Sequence, residues 1–308
     1  MSVSSKLFLL AFACLPGLSF AQSGIDYLKI LKNASDYNRH DSRKLPAFSY
    51  ESANDSSLVK LRKKYNLDSV AGYSNEESKV LNLMHWVHNI INHEAIAEVP
   101  IKYLNADSII TLTKQRGVSV TCKELATVLN DCYLAMGFKS RKVYCYPRDS
   151  SETDADFHVI NTVYLPSLKK WILTDPTSDA YIMNRDGELL SIEEVRKSLI
   201  NNRPLILNPE ANLNRHESVT ETEYDNYLEK NFYLFCCPLN SQYNYETSSV
   251  NKTATYIYLL PIDYNKTTAF HSEETDKKLG TTKIIYRTNN PDVFWQDPLA
   301  KDKNDLFK

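Results

Sequence analysis

One cysteine, Cys122, stands where a thiol can become a nucleophile, at the predicted start of a helix. Thr121 and Glu124 form a capping-box pattern, which makes Thr121 the N-cap. Apolar residues then recur at helical spacing and predict one buried face, namely Leu125, Val128, Leu129, Cys132 and Met136. Gly137 supplies the C-terminal stop. The positive end of a helix lowers the pKa of a thiol. The alternative role for Cys122 is that of a small, buried hydrophobic residue. A catalytic role requires a base and an orienting group from elsewhere in the chain.

A histidine and a carboxylate lie on two segments that are predicted to pair as a β-hairpin. Ala155–Tyr164 alternates in the manner of a strand, and Lys170–Asp175 forms a second strand after a short loop with Pro and Ser. If four residues form that loop, His158 lies directly opposite Asp175, with Cβ atoms about 4.5–5.5 Å apart. A slip of one residue would send the two side chains to opposite faces.

The arrangement of three residues resembles that of the transglutaminase-like superfamily of papain-fold cysteine enzymes. Cys122 lies at a helix start, His158 on a strand and Asp175 on the next strand. The resemblance covers about Glu76 to Arg196, and its most specific part is Trp-Ile-Leu-Thr-Asp-Pro-Thr ending at residue 177, similar to the family's W…DPT signature. It implies an α+β fold with a papain-like, transglutaminase-like core, in which the Cys-bearing helix packs on an antiparallel sheet that carries the His and the Asp. A β-rich C-terminal extension follows this core.

The resemblance implies that Cys122 is the nucleophile, His158 the general base and then acid, and Asp175 the group that orients the imidazole. The expected activity is acyl transfer on peptide or protein amides through a thioester. The enzyme is then a hydrolase (protease, amidase or deamidase) or a transamidase. Hydrolysis is favoured, because water is the default acceptor and Lys123 stands where many relatives have Trp. The alternative class is a catalytically silent binding module. Neither class requires a cofactor or a metal.

The oxyanion of such a reaction needs two donors, and the backbone N–H of Cys122 supplies one. Tyr103 precedes a short predicted helix, Ala106–Thr113, in a place where animal-type transglutaminases carry an aromatic donor. Gln115 precedes the Cys somewhat like the glutamine of papain relatives. Ordinary packing or surface exposure is the alternative for both residues, so the second donor stays open.

Three histidines near another predicted helix have a spacing that could bind a metal ion. Ser74 and Glu77 predict the start of that helix, and His85, His88 and His93 lie on it or just beyond it. No Cys or carboxylate partner completes the pattern. We therefore expect packing or surface histidines and no metal site.

The chain divides into four predicted segments. Residues 1–21 read as a secretory signal peptide, residues 22–75 as an N-terminal helical extension, 76–205 as the core and 206–308 as the C-terminal extension. An extracytoplasmic protein, secreted or periplasmic, is therefore expected, without membrane insertion after signal removal. A lipid anchor on Cys14 is the alternative.

The charge of the chain limits the classes of partner that it could bind. With 36 basic and 38 acidic residues and a net charge of −2, the chain has no electrostatic footprint for nucleic acid. A peptide or protein substrate is the expected partner, and the oligomeric state stays open.

Five cysteines remain after signal removal, so at least one thiol is unpaired. If that thiol is Cys122, the others could pair, namely Cys132, Cys145, Cys236 and Cys237.

Overall fold

The computed structural model describes residues 25–34, 36–97, 102–149, 157–247, 253–264, 269–277 and 280–300. The predicted signal peptide and Cys14 lie outside these ranges. Within them the chain has the predicted α+β fold, with helices packed on a large, mostly antiparallel sheet.

The helices of the described ranges are α1 (Tyr27–Asn33), α2 (Ser56–Lys64), α3 (Leu67–Ala71), α4 (Glu76–Ile90), α5 (Ala106–Arg116), α6 (Cys122–Ala135), α7 (Ile192–Ile200), α8 (Glu221–Asn231) and α9 (Pro291–Phe294). None of these helices is both long and apolar enough to cross a bilayer.

The strands of the same ranges are β1 (Ser49–Tyr50), β2 (Lys139–Tyr146), β3 (His158–Leu165), β4 (Lys170–Thr174), β5 (Ile182–Met183), β6 (Ile206–Leu207), β7 (Asn212–Leu213), β8 (Glu217–Ser218), β9 (Leu234–Pro238), β10 (Asn240–Ser241), β11 (Thr253–Leu259), β12 (His271–Asp276) and β13 (Thr281–Thr288).

Seven strands form the main sheet in the order β12-β13-β11-β9-β2-β3-β4. All neighbours are antiparallel except β11 and β13. Strands from the predicted C-terminal extension therefore continue the sheet that begins with β2, β3 and β4. The boundary at residue 205 stays a prediction.

Helix α6 lies at the centre of the fold and begins where the sequence predicts. The N–H of Thr121 donates to the carboxylate of Glu124 at 3.0 Å, which forms the predicted capping box. The prediction of a single buried face is wrong, because every residue from 124 to 135 is buried. The polar face is satisfied by partners from other elements, and Lys142, for example, donates to Thr127 at 3.0 Å.

Helix α4 begins one residue later than a Ser74 cap requires. Asn75 is the N-cap, and its side chain accepts a hydrogen bond from the N–H of Ser78 at 2.9 Å. Asn and Ser are comparable N-caps, so the sequence pattern alone does not separate the two starts.

The predicted hairpin forms between β3 and β4, but its register differs from the predicted one by two residues. Leu165 is fully buried and still pairs with Lys170, so the loop lies one residue later than predicted. Pro166 cannot donate to the ladder, which places the turn there. A two-residue shift leaves each side chain on its original face. His158 and Asp175 therefore remain on a common face.

The disulfide pairing that the sequence left open does not form in the structure. All five cysteines of the described ranges are free thiols, and Cys132, Cys145, Cys236 and Cys237 are buried. Adjacent residues of a strand point to opposite faces, so Cys236 and Cys237 of β9 join different apolar clusters. Cys122 is the half-buried thiol among the five.

Candidate active site

Cys122 is the first residue of α6, at the N-terminal end of the most buried helix. Its side chain packs at the margin of the cluster that contains Ala126 and Val159. First-turn N–H groups have no intrahelical partners, and they favour a negative charge at this position. The half-buried thiol is thus accessible to a reactant, whereas the four buried thiols are not.

His158 and Asp175 form a hydrogen-bonded pair beneath the surface. Nε2 of His158 lies 2.8 Å from Oδ2 of Asp175, and their exposed fractions are 1% and 0%. His158 is the first residue of β3, and Asp175 directly follows β4. The backbone of Asp175 bonds to Ala180 in both directions, at 2.8 and 2.9 Å, and fixes the carboxylate in a tight turn.

The thiol of Cys122 interacts with the ring of His158. Since Nε2 is held by Asp175, Nδ1 is the ring nitrogen left for the thiol, and it has no hydrogen-bond partner among the described residues. The three side chains predicted from the sequence are therefore together, in the order thiol, imidazole, carboxylate. This order is the one required for a base-activated nucleophile with an oriented base.

The charges of the site favour a thiolate and an imidazolium. Burial opposes ionisation of Cys122, but the imidazoles of His158 and His93 outweigh it and lower the pKa of the thiol to about 6. Burial likewise opposes a charged His158, but the Asp175 carboxylate and the contact with Cys122 raise the pKa of the imidazole to about 10. Burial opposes the Asp175 anion too, but the charge and hydrogen bond of His158 hold the pKa of Asp175 below its usual range.

Two tyrosines of α8 complete the site, and no pattern in the sequence pointed to either of them. The hydroxyl of Tyr224 donates to Oδ2 of Asp175 at 2.9 Å, and Tyr224 is buried. The ring of Tyr227 lies against the ring of His158, with centroids 4.8 Å apart. Burial and the Asp175 charge raise the pKa of Tyr224, which keeps its hydroxyl protonated as a donor. A Thr220–Glu223 capping box was a readable signal for α8, but nothing local linked this helix to Asp175.

His93 is a further residue near the site that the sequence did not predict there. Its imidazole contributes to the lowered pKa of the Cys122 thiol. Its backbone pairs with Val120 in an isolated parallel bridge just before α6. Asn214, in the β7–β8 turn, bonds to the backbone of His93 on both sides, at 2.7 and 3.0 Å. These bonds hold the backbone of the half-buried His93 next to the residues that lead into α6.

The other two histidines have separate partners. Nδ1 of His85 lies 2.6 Å from Asp179, and His88 contacts the carbonyl of Pro176 at 3.1 Å and Asn212 at 2.9 Å. Across the described part of the chain, no three His, Cys, Asp or Glu residues converge as metal ligands would.

Neither sequence candidate for the second oxyanion donor contacts Cys122. Tyr103 is 41% exposed, and its ring lies under the ammonium group of Lys102. Gln115 is exposed in the last turn of α5. Surface exposure, the alternative to a catalytic role, therefore describes both residues.

Residues 63–176 match a family model described as the transglutaminase-like superfamily. This segment belongs to the transglutaminase-like superfamily. The transglutaminase-like segment contains Cys122, His158 and Asp175, whereas Asn214 and α8 follow it in the chain. No curated protein sequence matches the chain.

Two solved structures are similar to parts of the chain. One is a candidate cysteine protease from Cytophaga hutchinsonii, at 21% identity and a TM-score of 0.29, covering 46% of this chain and 43% of its own. The other is a candidate protease from Parabacteroides distasonis ATCC 8503, at 16% identity and a TM-score of 0.24, covering 45% of this chain and 30% of its own. The chain thus spans less than half the length of each.

Proposed function

We propose that this protein is a cysteine-dependent acyl-transfer enzyme that acts on peptide or protein amides, more as a hydrolase than as a transamidase. The observation that carries the proposal is the buried His158–Asp175 pair, 2.8 Å apart, whose free ring nitrogen is left for a half-buried Cys122 at a helix start. The family of residues 63–176 supports it.

In this mechanism the Cys122 thiolate attacks the amide carbonyl carbon, and a C–S bond forms as the carbonyl π electrons move to oxygen. The tetrahedral intermediate then collapses, the C–N bond breaks, and the His158 imidazolium gives its proton to the leaving amine. Asp175 keeps the imidazole in the required tautomer and stabilises its charged form. The product is a thioester on Cys122.

Water or an amine can then resolve the thioester. In the hydrolytic branch neutral His158 removes a proton from water, the hydroxide adds to the thioester carbonyl, and Cys122 leaves as the thiolate. We favour this branch because Lys123 follows the nucleophile where cross-linking relatives have Trp, and because water is the acceptor present at highest concentration.

We further propose that the enzyme acts outside the cytoplasm. This proposal rests on residues 1–21, which read as a secretory signal peptide.

Alkylation of Cys122 by iodoacetamide, followed by peptide mass spectrometry, tests the proposal. We expect the labelling rate to rise with pH around a midpoint near the thiol pKa of about 6. His158→Ala should move that midpoint towards the value of an ordinary thiol, about 8.5. A midpoint of an ordinary thiol in the unmodified protein would instead favour a catalytically silent binding module. Incubation with a peptide library, with and without a primary amine, then separates hydrolysis from transamidation.

A further inference from the structure

We infer that His88 is a positioning residue that directs a backbone N–H at the carboxylate of Asp175. The N–H is that of Thr177, which donates to Asp175 beside the His158 pair. The inference rests on the proposed acyl-transfer function and deepens it, because it adds a residue of α4 to the groups that hold the reacting side chains. It assigns a role to a histidine for which the sequence indicated only packing or surface exposure.

His88 is a buried histidine, 2% exposed, whose two ring nitrogens both have polar partners. Nδ1 lies 3.1 Å from the carbonyl oxygen of Pro176, and Nε2 lies 2.9 Å from Oδ1 of Asn212. A carbonyl oxygen can only accept a hydrogen bond, so Nδ1 carries the proton of the first of these contacts. The imidazole is therefore a donor to the residue that directly follows Asp175.

The carbonyl of Pro176 and the N–H of Thr177 belong to one peptide group. This group is trans, and a trans peptide is planar, with its C=O and N–H pointing in opposite directions. His88 binds the oxygen on one side at 3.1 Å, and the N–H on the other side donates to Oδ1 of Asp175 at 2.9 Å. Because the group is rigid, the bond from His88 fixes the direction of the N–H that Asp175 receives.

Asp175 uses its two oxygens for different contacts. Oδ1 accepts from Thr177, whereas Oδ2 lies 2.8 Å from Nε2 of His158 and accepts from the hydroxyl of Tyr224 at 2.9 Å. The bond from Thr177 therefore helps to set the rotation of the carboxylate about its Cβ–Cγ bond. That rotation decides whether Oδ2 faces the imidazole. A misplacement of about 1 Å in such a set can cost on the order of 10²-fold in rate.

The helix that carries His88 is fixed to the other parts of the site. The hydroxyl of Tyr133, on α6, donates to the carbonyl of Val80, on α4, at 3.1 Å. The same hydroxyl lies 3.3 Å from Oγ1 of Thr174, the residue before Asp175. Helix α4 is thus held against the helix that begins at Cys122 and against the strand that leads to Asp175, so it is a firm support for the imidazole.

The far end of the turn that follows Asp175 has anchors of its own. Oδ2 of Asp179 lies 2.6 Å from Nδ1 of His85, and the carbonyl of Asp179 accepts from Nδ2 of Asn208 at 3.0 Å. Loss of the His88 bond should therefore release the peptide group after Pro176 and leave the rest of the turn in place.

Two substitutions each keep one of the two contacts of His88. The amide nitrogen of Asn lies where His has Nδ1, so His88→Asn keeps a donor for Pro176 and loses the contact with Asn212. The amide of Gln lies one bond further out, near the place of Nε2, so His88→Gln keeps the contact with Asn212 and loses the donor for Pro176. His88→Leu, which fills a similar volume without any donor, is a second variant that lacks the bond to Pro176.

The measurement is the pH–rate profile for acylation of Cys122 by 4-nitrophenyl acetate, on the full chain. Background acylation is subtracted with Cys122→Ala. The basic limb of the profile follows the imidazole pKa of His158, about 10 in the unmodified protein. Denaturant unfolding gives the stability of each variant, and profiles are taken at a temperature where circular dichroism shows that the variants are folded.

We expect His88→Gln and His88→Leu to slow acylation on the order of tenfold, because Asp175 then faces His158 less well. Their basic limb should move to lower pH, since a poorly directed carboxylate favours the imidazolium less. His88→Asn should keep both limbs and stay within about twofold of the unmodified rate. The matched control is Asn82→Ala, which removes another bond from α4 to a backbone carbonyl, that of Ala71 at 3.0 Å. It should lower stability without changing the profile.

Coincident profiles of His88→Asn and His88→Gln, shifted or not, would overturn the inference, because the bond to Pro176 would then make no difference. A His88→Asn profile that departs further from the unmodified one than that of His88→Gln would overturn it too. In these cases the acyl-transfer proposal stands, because the unmodified protein is acylated at Cys122. Absence of acylation at Cys122 in the unmodified protein would overturn both.

Discussion

Asp175 is a buried carboxylate with three hydrogen-bond donors. Nε2 of His158, the hydroxyl of Tyr224 and the N–H of Thr177 lie 2.8, 2.9 and 2.9 Å from its oxygens. A carboxylate with this many donors stays ionised even when it is fully buried. Its charge is the main reason that the imidazole of His158 holds a proton at neutral pH. The proposed chemistry of Cys122 therefore depends on Asp175, which acts on the thiol through His158.

Asp175→Asn should narrow the pH range of activity from both sides. The proposed thiolate–imidazolium pair exists above the thiol pKa of about 6 and below the imidazole pKa of about 10. Without the carboxylate charge His158 loses its proton at lower pH, so the basic limb moves to lower pH. The thiol loses its cationic partner, so the acidic limb moves to higher pH. We expect acylation by 4-nitrophenyl acetate to fall by about 10²-fold or more.

The pH–rate profile of that acylation is the measurement. Asp186→Asn, at an exposed turn, is the control and should leave both limbs in place. An Asp175→Asn profile that coincides with the control would show that the carboxylate does not set the ionisation of the pair.

At the scale of elements, helix α8 covers His158 from a part of the chain that follows residues 63–176. Tyr224 and Tyr227 are three residues apart, so they lie on one face of the helix. One bonds to Asp175 and the other contacts the ring of His158. The helix thereby shields the pair from water and supplies one of its hydrogen bonds.

Tyr224→Phe should lower stability and slow acylation. The change removes the hydroxyl that bonds to Asp175 and keeps the buried ring. A hydrogen bond to a charged group contributes about 1.5–3 kcal/mol to the free energy of unfolding. We also expect severalfold slower acylation, because Asp175 and His158 are held less firmly. Denaturant unfolding and the 4-nitrophenyl acetate rate are the two measurements.

The control is Tyr73→Phe, at a tyrosine that is 93% exposed. It should change neither quantity. If Tyr224→Phe is acylated at the unmodified rate under conditions where it is fully folded, α8 stabilises the fold without positioning the proposed catalytic pair.

At the scale of the whole molecule, a buried ion pair links strand β2 of the predicted core to a residue of the predicted C-terminal extension. Nζ of Lys142, on β2, pairs with the carboxylate of Glu246, and both side chains are less than 10% exposed. The hydroxyls of Tyr144 and Tyr256 donate to the same carboxylate at 2.8 Å. Burial opposes its charge, but the charges of Lys142 and Lys123 and the hydrogen bonds from Lys142 and Tyr144 lower the pKa of Glu246 to about 2.

Glu246→Ala should destabilise the protein by about 3–5 kcal/mol, because it leaves the ammonium of Lys142 buried without its partner. The double variant with Lys142→Met should recover much of this loss, since no charge is then buried. Denaturant unfolding of the single and double variants is the measurement. A double variant as unstable as Glu246→Ala would indicate that the lost tyrosine contacts matter more than the unpaired charge.

The start of the Cys122 helix could be read from the sequence because a capping box is a local pattern. Thr121 and Glu124 lie within one turn, so their interaction needs no other part of the fold. The common face of His158 and Asp175 was also readable, since the alternation of a strand has a period of two. It survived an error of two residues in the register for the same reason.

The register itself was not readable, because it depended on whether Leu165 is buried, and burial is decided by what packs on the sheet. The same holds for the full burial of α6, whose polar face has partners on other elements. Whether the four buried cysteines form disulfides depends on which faces of their strands and helix meet in the fold, so their unpaired thiols were not readable either.

What the sequence determined by itself was therefore local: the capped helix with its cysteine, and the alternation that gives the histidine and the carboxylate one face. Only the tertiary structure brought Tyr224 to Asp175, across 49 residues, and Asn214 to His93, across 121. Contacts over such separations depend on the packing of several elements at once, and no short pattern encodes that packing.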